Sequence, residues 1–406
     1  MNLVQPFAAL RPALEHAAEV AAPPYDVLSS AEARERAAGK RWTFLHISKP
    51  EIDLPAGTDP YAPQVYAKAA ENLRDMLAHG VLRRDPRPCY YVYRMSAGPH
   101  SQVGLALAAS IADYDSNRIR KHETTRPDKE DDRVRQIEAL DAQTGPVLLA
   151  YPDAPMVDAI LADCTRRPPA TDVEADGDVR HAIWVVDDPA SIETLTRAFD
   201  AMHALYIADG HHRSAAASRV AAARREQASA QRFLAVAFPH RQMRILDYNR
   251  LVRDLRGMTP AQFLDRIGGA FALEPASAPV RPSMPGEFGL YLAGAWHRLR
   301  VREDLATIAD PVSRLDVSLL ADRLLEPLLG IVDPRTDSRI DFVGGGRGLA
   351  ELERRVDSGE MAAAFSLHPT RMQDLMAVAD AGRVMPPKST WFEPKLADGL
   401  VSHVLD

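Results

Sequence analysis

The stretch IADGHHR, residues 207–213, joins a short apolar run to a long segment rich in Ala and Arg. The apolar residues 206–208 predict a buried strand, and residues 214–227 predict a helix. A strand that ends in Asp-Gly and opens a helix brings unpaired backbone N–H groups and the positive end of the helix dipole to one point. This turn therefore predicts an anion-binding site.

Each polar residue of the turn has a chemical use. Gly210 lets the backbone approach a ligand closely, and Arg213 can fork onto a phosphate. His211 or His212 can donate a proton or a hydrogen bond, and Asp209 can hold a histidine tautomer, bind Mg²⁺ or accept a proton from an alcohol. The alternative is an ordinary helix start with two surface histidines.

A second segment, residues 121–133, carries ten charged or histidine positions in thirteen. It predicts a mobile loop that brings the carboxylate of Glu123, with His122 beside it, to a phosphate-bearing substrate. Lys129 and Arg133 would supply positive charge there. The alternative is a solvated loop that caps a following helix over 132–140, with its acidic residues complementing the helix dipole.

A third segment is MPPKSTWFEPK, residues 385–395. Its prolines and its Trp-Phe pair would hold two lysines in fixed places, so that Lys388, Ser389 and Lys395 could bind phosphate groups. The glycines of a P-loop are missing from it. The alternative is a C-terminal strap that packs its aromatic rings on the body of the protein. The glycine-rich run 344–348 predicts a turn.

The remaining pattern predicts an α+β (mixed α/β) fold in two parts, an N-terminal domain over 1–250 and a smaller α/β domain over 251–406 whose tail returns to the site. Strands over 89–95 and 103–111 should pair. Residues 165–178 and 275–285 predict exposed connections, because they are polar or rich in proline. The other predicted elements are helices over 30–39, 61–80, 190–202, 260–268, 316–329, 349–359 and 372–381, and strands over 147–151, 183–186, 233–238, 289–292, 297–301 and 363–367.

Composition narrows the function. The 406 residues carry a formal net charge of −7, which argues against a protein that grips nucleic acid. The two cysteines, Cys89 and Cys164, lack the spacing of a disulfide framework or a zinc site. No apolar run approaches a membrane span and no signal peptide is visible, so we expect a soluble cytoplasmic protein.

The motifs together resemble a bacterial and archaeal family of proteins of unknown function, related to the ParB/sulfiredoxin superfamily. The matching stretches are AAPPYDV at 21–27, HETT at 122–125, KEDDR at 129–133, IADGHHR at 207–213 and MPPKSTWFEPK at 385–395. The DGHHR motif is similar to that of free-serine kinases and to the Gly-x-His-Arg of ParB and sulfiredoxin, where the turn binds nucleotide phosphates. The resemblance implies a ParB/sulfiredoxin-like N-terminal core.

The resemblance also implies a phosphotransferase that acts on free serine or O-phosphoserine with ADP or ATP and Mg²⁺. Residues 209–213 would then bind phosphate, Glu123 would be the base, and Asp26 or Asp209 would hold the metal, with Asp26 and His122 near the substrate. The reaction could run toward serine, as a phosphoserine phosphatase does. The alternatives are a nucleotide-gated binding module of the ParB type and a metal-dependent phosphohydrolase that needs no nucleotide.

Overall fold

The computed structural model describes residues 2–175, 177–302 and 304–406. The chain forms two compact units, one from Met1–Met243 together with Pro394–Asp406 and one from Arg244–Glu393. Both units combine strands and helices, so the fold is mixed α/β, as the sequence predicts. Within the described residues, no helix is both long enough and apolar enough to cross a membrane.

The first unit is built on a nine-stranded sheet with the order β6-β11-β8-β12-β5-β4-β10-β9, and β1 pairs with β5. The pairs β6/β11 and β8/β12 are parallel and the other pairs are antiparallel. Apolar side chains of these strands and of the helices form its core. In chain order the strands of this unit are β1 (Val4–Gln5), β2 (Ala9–Pro12), β3 (Leu82–Arg84), β4 (Tyr90–Ala97), β5 (His100–Ser110), β6 (Ile119–Arg120), β7 (Ala142–Gln143), β8 (Val147–Tyr151), β9 (Thr171–Ala175), β10 (Val179–Val186), β11 (Leu205–Asp209) and β12 (Arg232–Pro239).

Nine helices of the described part of this unit pack around its sheets. They are α1 (Ala17–Val20), α2 (Ser30–Ala37), α3 (Leu45–Ser48), α4 (Pro63–Ala78), α5 (Ile111–Asp115), α6 (Pro127–Leu140), α7 (Pro155–Cys164), α8 (Pro189–Asp200) and α9 (His211–Ala223). Short 3-10 turns add Tyr25–Val27 and Pro50–Asp53, among others. The C-terminal strand Ser402–Val404 returns to this unit and pairs with β2 and β7 in a four-stranded sheet.

The second unit is built on a six-stranded antiparallel sheet. Its strands are β13 (Ile245–Leu246), β14 (Tyr248–Val252), β15 (Phe271–Ala276), β16 (Glu287–Leu292), β17 (Ala295–Val301), β18 (Ile340–Gly344), β19 (Ala363–Leu367) and β20 (Trp391–Phe392), in the order β15-β17-β16-β19-β14-β18, with β13 and β20 paired separately. Its helices are α10 (Pro260–Ile267), α11 (Asp316–Leu320), α12 (Glu326–Leu329), α13 (Leu349–Asp357) and α14 (Met372–Asp380). A π-helical turn, Ala321–Leu325, joins α11 to α12.

Most predicted elements are confirmed, and α2 shows why local signals suffice there. Ser29 accepts a hydrogen bond from the backbone N–H of Glu32, and the Glu32 carboxylate accepts one from the backbone N–H of Ser29, which is a capping box. The strands β4 and β5 pair as an antiparallel hairpin, as predicted. The glycine-rich run 344–348 forms a 3-10 turn at Gly345–Arg347.

Four predicted boundaries are wrong. The helix predicted from 132 begins at Pro127, because proline suits the first helical position, so the second half of the charged segment is helical and only 121–126 is loop. The helix predicted from 214 begins at His211. The predicted connection 165–178 contains β9, which pairs with β10, and its residue 176 lies outside the described residues. The proline-rich stretch 275–285 begins inside β15.

Candidate functional site

A single residue turns the chain from β11 into α9. Gly210 lies between Asp209 and His211 with a φ of 99°, in the region that glycine adopts without strain. A Cβ at this position would lie 3.0 Å from Nε of Arg213. Gly210 is the N-cap residue and offers no side chain to the first N–H groups of α9. These groups are therefore available to a ligand, as at other anion-binding helix starts.

Two cations hold the carboxylate of Asp209. Its Oδ2 lies 3.3 Å from Nζ of Lys395 and 3.6 Å from Nη2 of Arg213. Burial by itself raises the pKa of Asp209, but the charges of Lys395 and Arg213 outweigh burial and hold the pKa well below its ordinary value. Asp209 is therefore a fixed negative charge that positions both cations beside the start of α9.

Glu123 faces His211 in the same unit. Nε2 of His211 accepts a hydrogen bond from the backbone N–H of His122 at 3.4 Å, so the neutral ring carries its proton on Nδ1. That Nδ1 lies 3.5 Å from Oε2 of Glu123. Burial lowers the pKa of His211 well below its ordinary value, so the ring is neutral at physiological pH. His211 thus directs an N–H toward Glu123, whose side chain is 43% exposed.

His122 packs edge-on against His211, with the ring centroids 4.5 Å apart. Its side chain is fully buried, and neither ring nitrogen has a hydrogen-bond partner among the described residues. Burial lowers the pKa of His122 to about 4. The sequence predicts that His122 contacts substrate. The structure shows a neutral ring in the wall behind Glu123, with Nε2 4.0 Å from Oε1 of that residue.

His212 fixes the other end of the same loop. Its Nε2 accepts a hydrogen bond from the backbone N–H of Arg126 at 3.1 Å. Arg126 is the N-cap residue of α6. The two histidines of the IADGHHR turn therefore hold the backbone of residues 122–126 at both ends, and the loop that carries Glu123 is fixed to the start of α9.

Arg213 extends from the first turn of α9 into a small cavity of the first unit. Its Nη1 donates to the carbonyl of Pro146, while its Nε is buried without a partner among the described residues. Asp398 lines the same cavity, and its side chain is also buried, with Oδ1 unpartnered there. Burial raises the pKa of Asp398 to about 7, against the opposing charge of Arg213.

Arg133 contributes a second guanidinium to this cavity. It stacks on Tyr25, with Cζ 3.8 Å from the ring centroid, and its Nη2 donates to Oδ2 of Asp132 at 2.7 Å. Tyr66 donates to the other oxygen of Asp132 at 2.8 Å. Arg133 is therefore held in place by an ion pair and an aromatic ring. Burial raises the pKa of Tyr25 to about 12, so its hydroxyl stays protonated beside Arg133.

Two further predicted residues lie at the edge of this cluster. Asp26 is exposed, and its charge acts on Arg213, His212 and Asp398. Lys129, in the first turn of α6, donates a hydrogen bond to the hydroxyl of Tyr61. Asp26 therefore shares the electrostatic environment of the site, whereas Lys129 is engaged with an aromatic neighbour.

The segment 385–395 is divided between the two units. Lys395 belongs to the first unit, and Lys388 and Ser389 belong to the second. Lys388 is exposed, has a φ of 57° and places its ammonium 5.7 Å from the centroid of the Tyr248 ring. The Ser389 hydroxyl donates to the carbonyl of Pro386 at 2.6 Å. Only Lys395 of these three predicted phosphate ligands is placed beside Asp209.

The model of the family described as protein of unknown function, DUF1015, matches residues 4–318. The chain belongs to this family. No curated protein matches the sequence.

Several solved structures are similar to this member of DUF1015 at low sequence identity. A conserved hypothetical protein from Pyrococcus furiosus is 13% identical over 73% of this chain and 94% of its own, with a TM-score of 0.35. A glutamate-to-alanine variant of free serine kinase in complex with ADP is 13% identical over 72% of this chain and 89% of its own, with a TM-score of 0.35. SbnI from Staphylococcus aureus is 12% identical over 73% of this chain and 86% of its own, with a TM-score of 0.39.

Sequence reasoning missed three residues that lie in this cluster of charged side chains, Tyr25, Gly145 and Asp398. A Cβ at Gly145 would lie 3.2 Å from Cδ of Arg213 and 3.5 Å from Oδ1 of Asp398. The signals in the sequence are an Asp-Gly pair at 398–399 and a Gly-Pro pair at 145–146. Both are common turn signals, and neither reveals a contact between residues more than 180 positions apart.

The predicted magnesium site at Asp209 does not fit the donors that surround it. Mg²⁺ prefers several oxygen ligands, yet the carboxylate of Asp209 is already neutralised by Lys395 and Arg213. Across residues 2–175, 177–302 and 304–406, no three His, Cys, Asp or Glu side chains gather as metal ligands. We therefore assign no resident metal to Asp209.

Proposed function

We propose that this protein is a phosphotransferase that acts on free serine or O-phosphoserine with ADP or ATP, and moves a phosphoryl group between the nucleotide and the side-chain oxygen of serine. The observation that carries the proposal is the position of Glu123, an accessible carboxylate fixed by His211 beside the start of α9. A general base must lie next to an anion-binding site for this reaction, since phosphoryl transfer depends on positioning and charge more than on covalent chemistry.

The phosphate groups would bind at the turn. The N–H groups of the first turn of α9 and the cations Lys395 and Arg213 would stabilise the negative charge on the oxygens of the transferred group. Asp209 keeps the two cations in place, so it is a positioning residue in this scheme. His212 is also a positioning residue, because it holds the backbone at Arg126.

In the direction of serine phosphorylation, the carboxylate of Glu123 takes the proton of the substrate hydroxyl. The hydroxyl oxygen forms a bond to the terminal phosphorus of ATP, and the bond between that phosphorus and the bridging oxygen breaks. ADP leaves with the electron pair. The reverse direction takes O-phosphoserine and ADP to serine and ATP, with Glu123 returning the proton.

Mg²⁺ would arrive with the nucleotide and neutralise its phosphate oxygens. Asp26 is an exposed carboxylate whose charge acts on Arg213, and we propose it as the protein group nearest to such an ion. This arrangement agrees with the general habit of Mg²⁺, which is bound through one or two carboxylates plus substrate phosphates.

Phosphorus NMR tests the proposal. The protein is mixed with Mg²⁺, O-phosphoserine and ADP in one tube and with Mg²⁺, L-serine and ATP in another. We expect new ATP or phosphoserine signals, which would also give the favoured direction. Release of free phosphate without nucleotide would indicate a metal-dependent phosphohydrolase instead. The absence of any reaction in both tubes would contradict the proposed phosphotransferase activity.

A matched pair of variants tests the role of Glu123. We expect Glu123→Gln to lower kcat by about 100- to 10,000-fold, the usual contribution of a general base, with little change in the KM for nucleotide. Glu138→Gln, an exposed position on α6, is the control and should keep the wild-type rate. A Glu123→Gln variant with normal kcat would assign the base elsewhere.

A further inference from the structure

A second cavity, of about 420 Å³, lies within the second unit, next to the starts of α11 and α14. Most of its lining comes from residues 314–316 and 368–371. The volume is in the range of small-molecule sites, about 300–1,000 Å³. None of its described lining residues has a role in the proposed phosphoryl transfer, so any ligand of this cavity would bind at a separate site.

Asp316 places a carboxylate with one unpartnered oxygen in the wall of this cavity. Its Oδ1 accepts a hydrogen bond from the backbone N–H of Gly286 at 2.8 Å. Its Oδ2 is buried and has no hydrogen-bond partner among the described residues. Because buried polar atoms in native proteins are nearly always hydrogen-bonded, Oδ2 of Asp316 points to a donor that the chain itself does not supply.

The charges around Asp316 favour a cationic donor. The charged side chains that act on Asp316 are Asp374 and Arg371. Arg371 donates to Asp374 through Nε at 2.7 Å and Nη2 at 2.8 Å, so these two side chains form a bidentate ion pair without net charge. An ionised Asp316 therefore leaves one negative charge in excess beside the cavity.

An organic ammonium fits this excess charge better than a metal ion does. Divalent metal ions prefer several oxygen ligands. Within the part of the chain that the structure describes, no three His, Cys, Asp or Glu side chains gather as metal ligands. A single ammonium, in contrast, needs only one carboxylate and can donate directly to Oδ2 of Asp316.

Arg314 contributes the opposite charge to the same cavity. Its Nε is buried and has no hydrogen-bond partner among the described residues. A guanidinium stays charged at physiological pH and can bind a carboxylate or a phosphate through parallel N–H groups. Pro285, Leu305 and Leu315 add apolar surface. The cavity therefore combines an acceptor for a cation, a donor for an anion and an apolar wall.

We propose that this cavity binds a small amphoteric molecule, with its ammonium on Oδ2 of Asp316 and its acidic group on the guanidinium of Arg314. A free amino acid is the simplest molecule with this chemistry, and the apolar wall would contact its side chain. The inference does not depend on the proposed function, because the site lies within the second unit and binds its ligand by charge pairing, without a reaction.

Ligand-observed NMR of the full-length protein without nucleotide tests the proposal. The probes are the protein amino acids other than serine, which is left out because the proposed reaction uses it. For the amino acid that binds most tightly, two analogues follow, one with hydrogen in place of the ammonium and one with hydrogen in place of the carboxylate. We expect each analogue to bind about tenfold more weakly or worse, since each leaves one charge of the cavity unpaired.

Two variants assign the binding to this cavity. We expect Asp316→Asn to weaken binding of that amino acid about 30-fold or more, and Arg314→Gln to weaken it about tenfold or more, because each removes one partner of a charge pair. Asp322→Asn is the control, because Asp322 is an exposed carboxylate of the same unit, and it should bind as the wild type does. Thermal unfolding establishes that each variant is folded.

The pH dependence of binding gives a readout that a purely structural role of Asp316 would not change. Burial raises the pKa of Asp316 to about 7, so affinity should rise about 30-fold between pH 5.5 and pH 8 as the carboxylate ionises. Arg314, His368, Arg371 and Asp374 are the other charged or titratable groups of the cavity. The rise should be absent in Asp316→Asn, which separates the titration of Asp316 from that of His368.

The outcomes decide the proposal in each case. Absence of binding by every amino acid, an analogue that binds as tightly as its parent, or normal binding by either variant would overturn it. If Asp316→Asn fails to fold, Arg314→Gln and the pH dependence of the wild type give the answer. Failure of the phosphorus NMR experiment would reject the proposed function and leave this inference standing.

Discussion

Lys395 and Lys388 come from the same eleven-residue segment, yet they have different surroundings. Lys395 lies 3.3 Å from the carboxylate of Asp209, in the first unit. Lys388 is exposed above the ring of Tyr248 in the second unit, and its carbonyl accepts a hydrogen bond from Arg250 at 3.0 Å. Two residues of one motif can therefore serve different purposes, one in a cluster of buried charge and one in a local turn.

The difference also appears in the hydrogen bonds of the neighbouring polar groups. In the first unit, Arg213 and Asp398 each keep a buried atom without a partner among the described residues. Next to Lys388, the Ser389 hydroxyl donates to the carbonyl of Pro386, and the Ser389 carbonyl accepts a hydrogen bond from the Thr370 hydroxyl at 2.8 Å. Groups that remain unsatisfied after folding are available to a ligand, whereas groups that are satisfied stabilise the fold. The predictions below test whether this contrast extends to activity.

Among the cationic side chains, the largest effect is expected at Arg213. Arg213→Lys keeps the positive charge but loses Nε and the forked geometry that binds a planar or tetrahedral anion. We expect kcat/KM for phosphoryl transfer to fall about 1,000-fold, in the range seen when a donor to transition-state charge is removed. Steady-state kinetics measure the effect.

Arg219 provides the matched control for Arg213. It lies on the same helix, is half exposed and pairs with Asp131 at 2.7 Å. Arg219→Lys should change kcat/KM less than threefold, because an exposed ion pair contributes little. Equal losses in the two variants would mean that α9 as a whole, and not the buried guanidinium, matters.

The second effect is expected at Lys395. Lys395→Met keeps the length of the side chain but removes its charge from Asp209 and from the proposed phosphate site. We expect the KM for nucleotide to rise and kcat/KM to fall about 100-fold. Kinetics at varied nucleotide concentration give the result, and an unchanged KM would remove Lys395 from the site.

The third effect concerns stability and pH. Burial raises the pKa of Asp398 from an ordinary value of 3.8 to about 7. The folded protein therefore keeps a proton that the unfolded chain loses between about pH 4 and pH 7, so the contribution of Asp398 to stability falls as the pH rises through this window. The charged and titratable groups around it are Arg213, Arg133, Asp26 and Tyr25.

Asp398→Asn removes this titration. We expect the free energy of unfolding of the variant, relative to that of the wild type, to rise by at most about 3 kcal/mol between pH 5 and pH 8. Thermal unfolding at the two pH values measures the difference. A gap between variant and wild type that is the same at both pH values would contradict the assignment of the titration to Asp398.

Part of the fold and of the candidate site can be predicted from the sequence alone. The strand-to-helix turn at 207–213, the capping box of α2 and the β4/β5 hairpin depend on neighbouring residues, so local pattern predicts them. The start of α9 was predicted three residues late, because the left-handed conformation of Gly210 leaves no capping side chain to mark it.

The role of Asp398 could not be predicted from local pattern. Its partners come from three distant parts of the chain, near Tyr25, Gly145 and Arg213, and the nine-stranded sheet brings the last two together through β8 and β11. The division of the 385–395 segment between the two units could not be predicted from local pattern either. Spacing within the motif suggests a common role, but long-range packing assigns Lys388 and Lys395 to different units.

The smallest effect is expected at Lys388, and it is the sharpest test of the difference between Lys395 and Lys388. The sequence predicts a phosphate ligand, which would make Lys388→Met as damaging as Lys395→Met. The exposed ammonium above Tyr248 instead indicates a modest surface cation–π contact, worth about 0.5–1 kcal/mol in stability. We expect kcat/KM to change less than threefold, with a slightly lower Tm. Parallel kinetics of the two methionine variants measure this, and a 100-fold loss at Lys388 would show that the segment acts as one phosphate-binding unit.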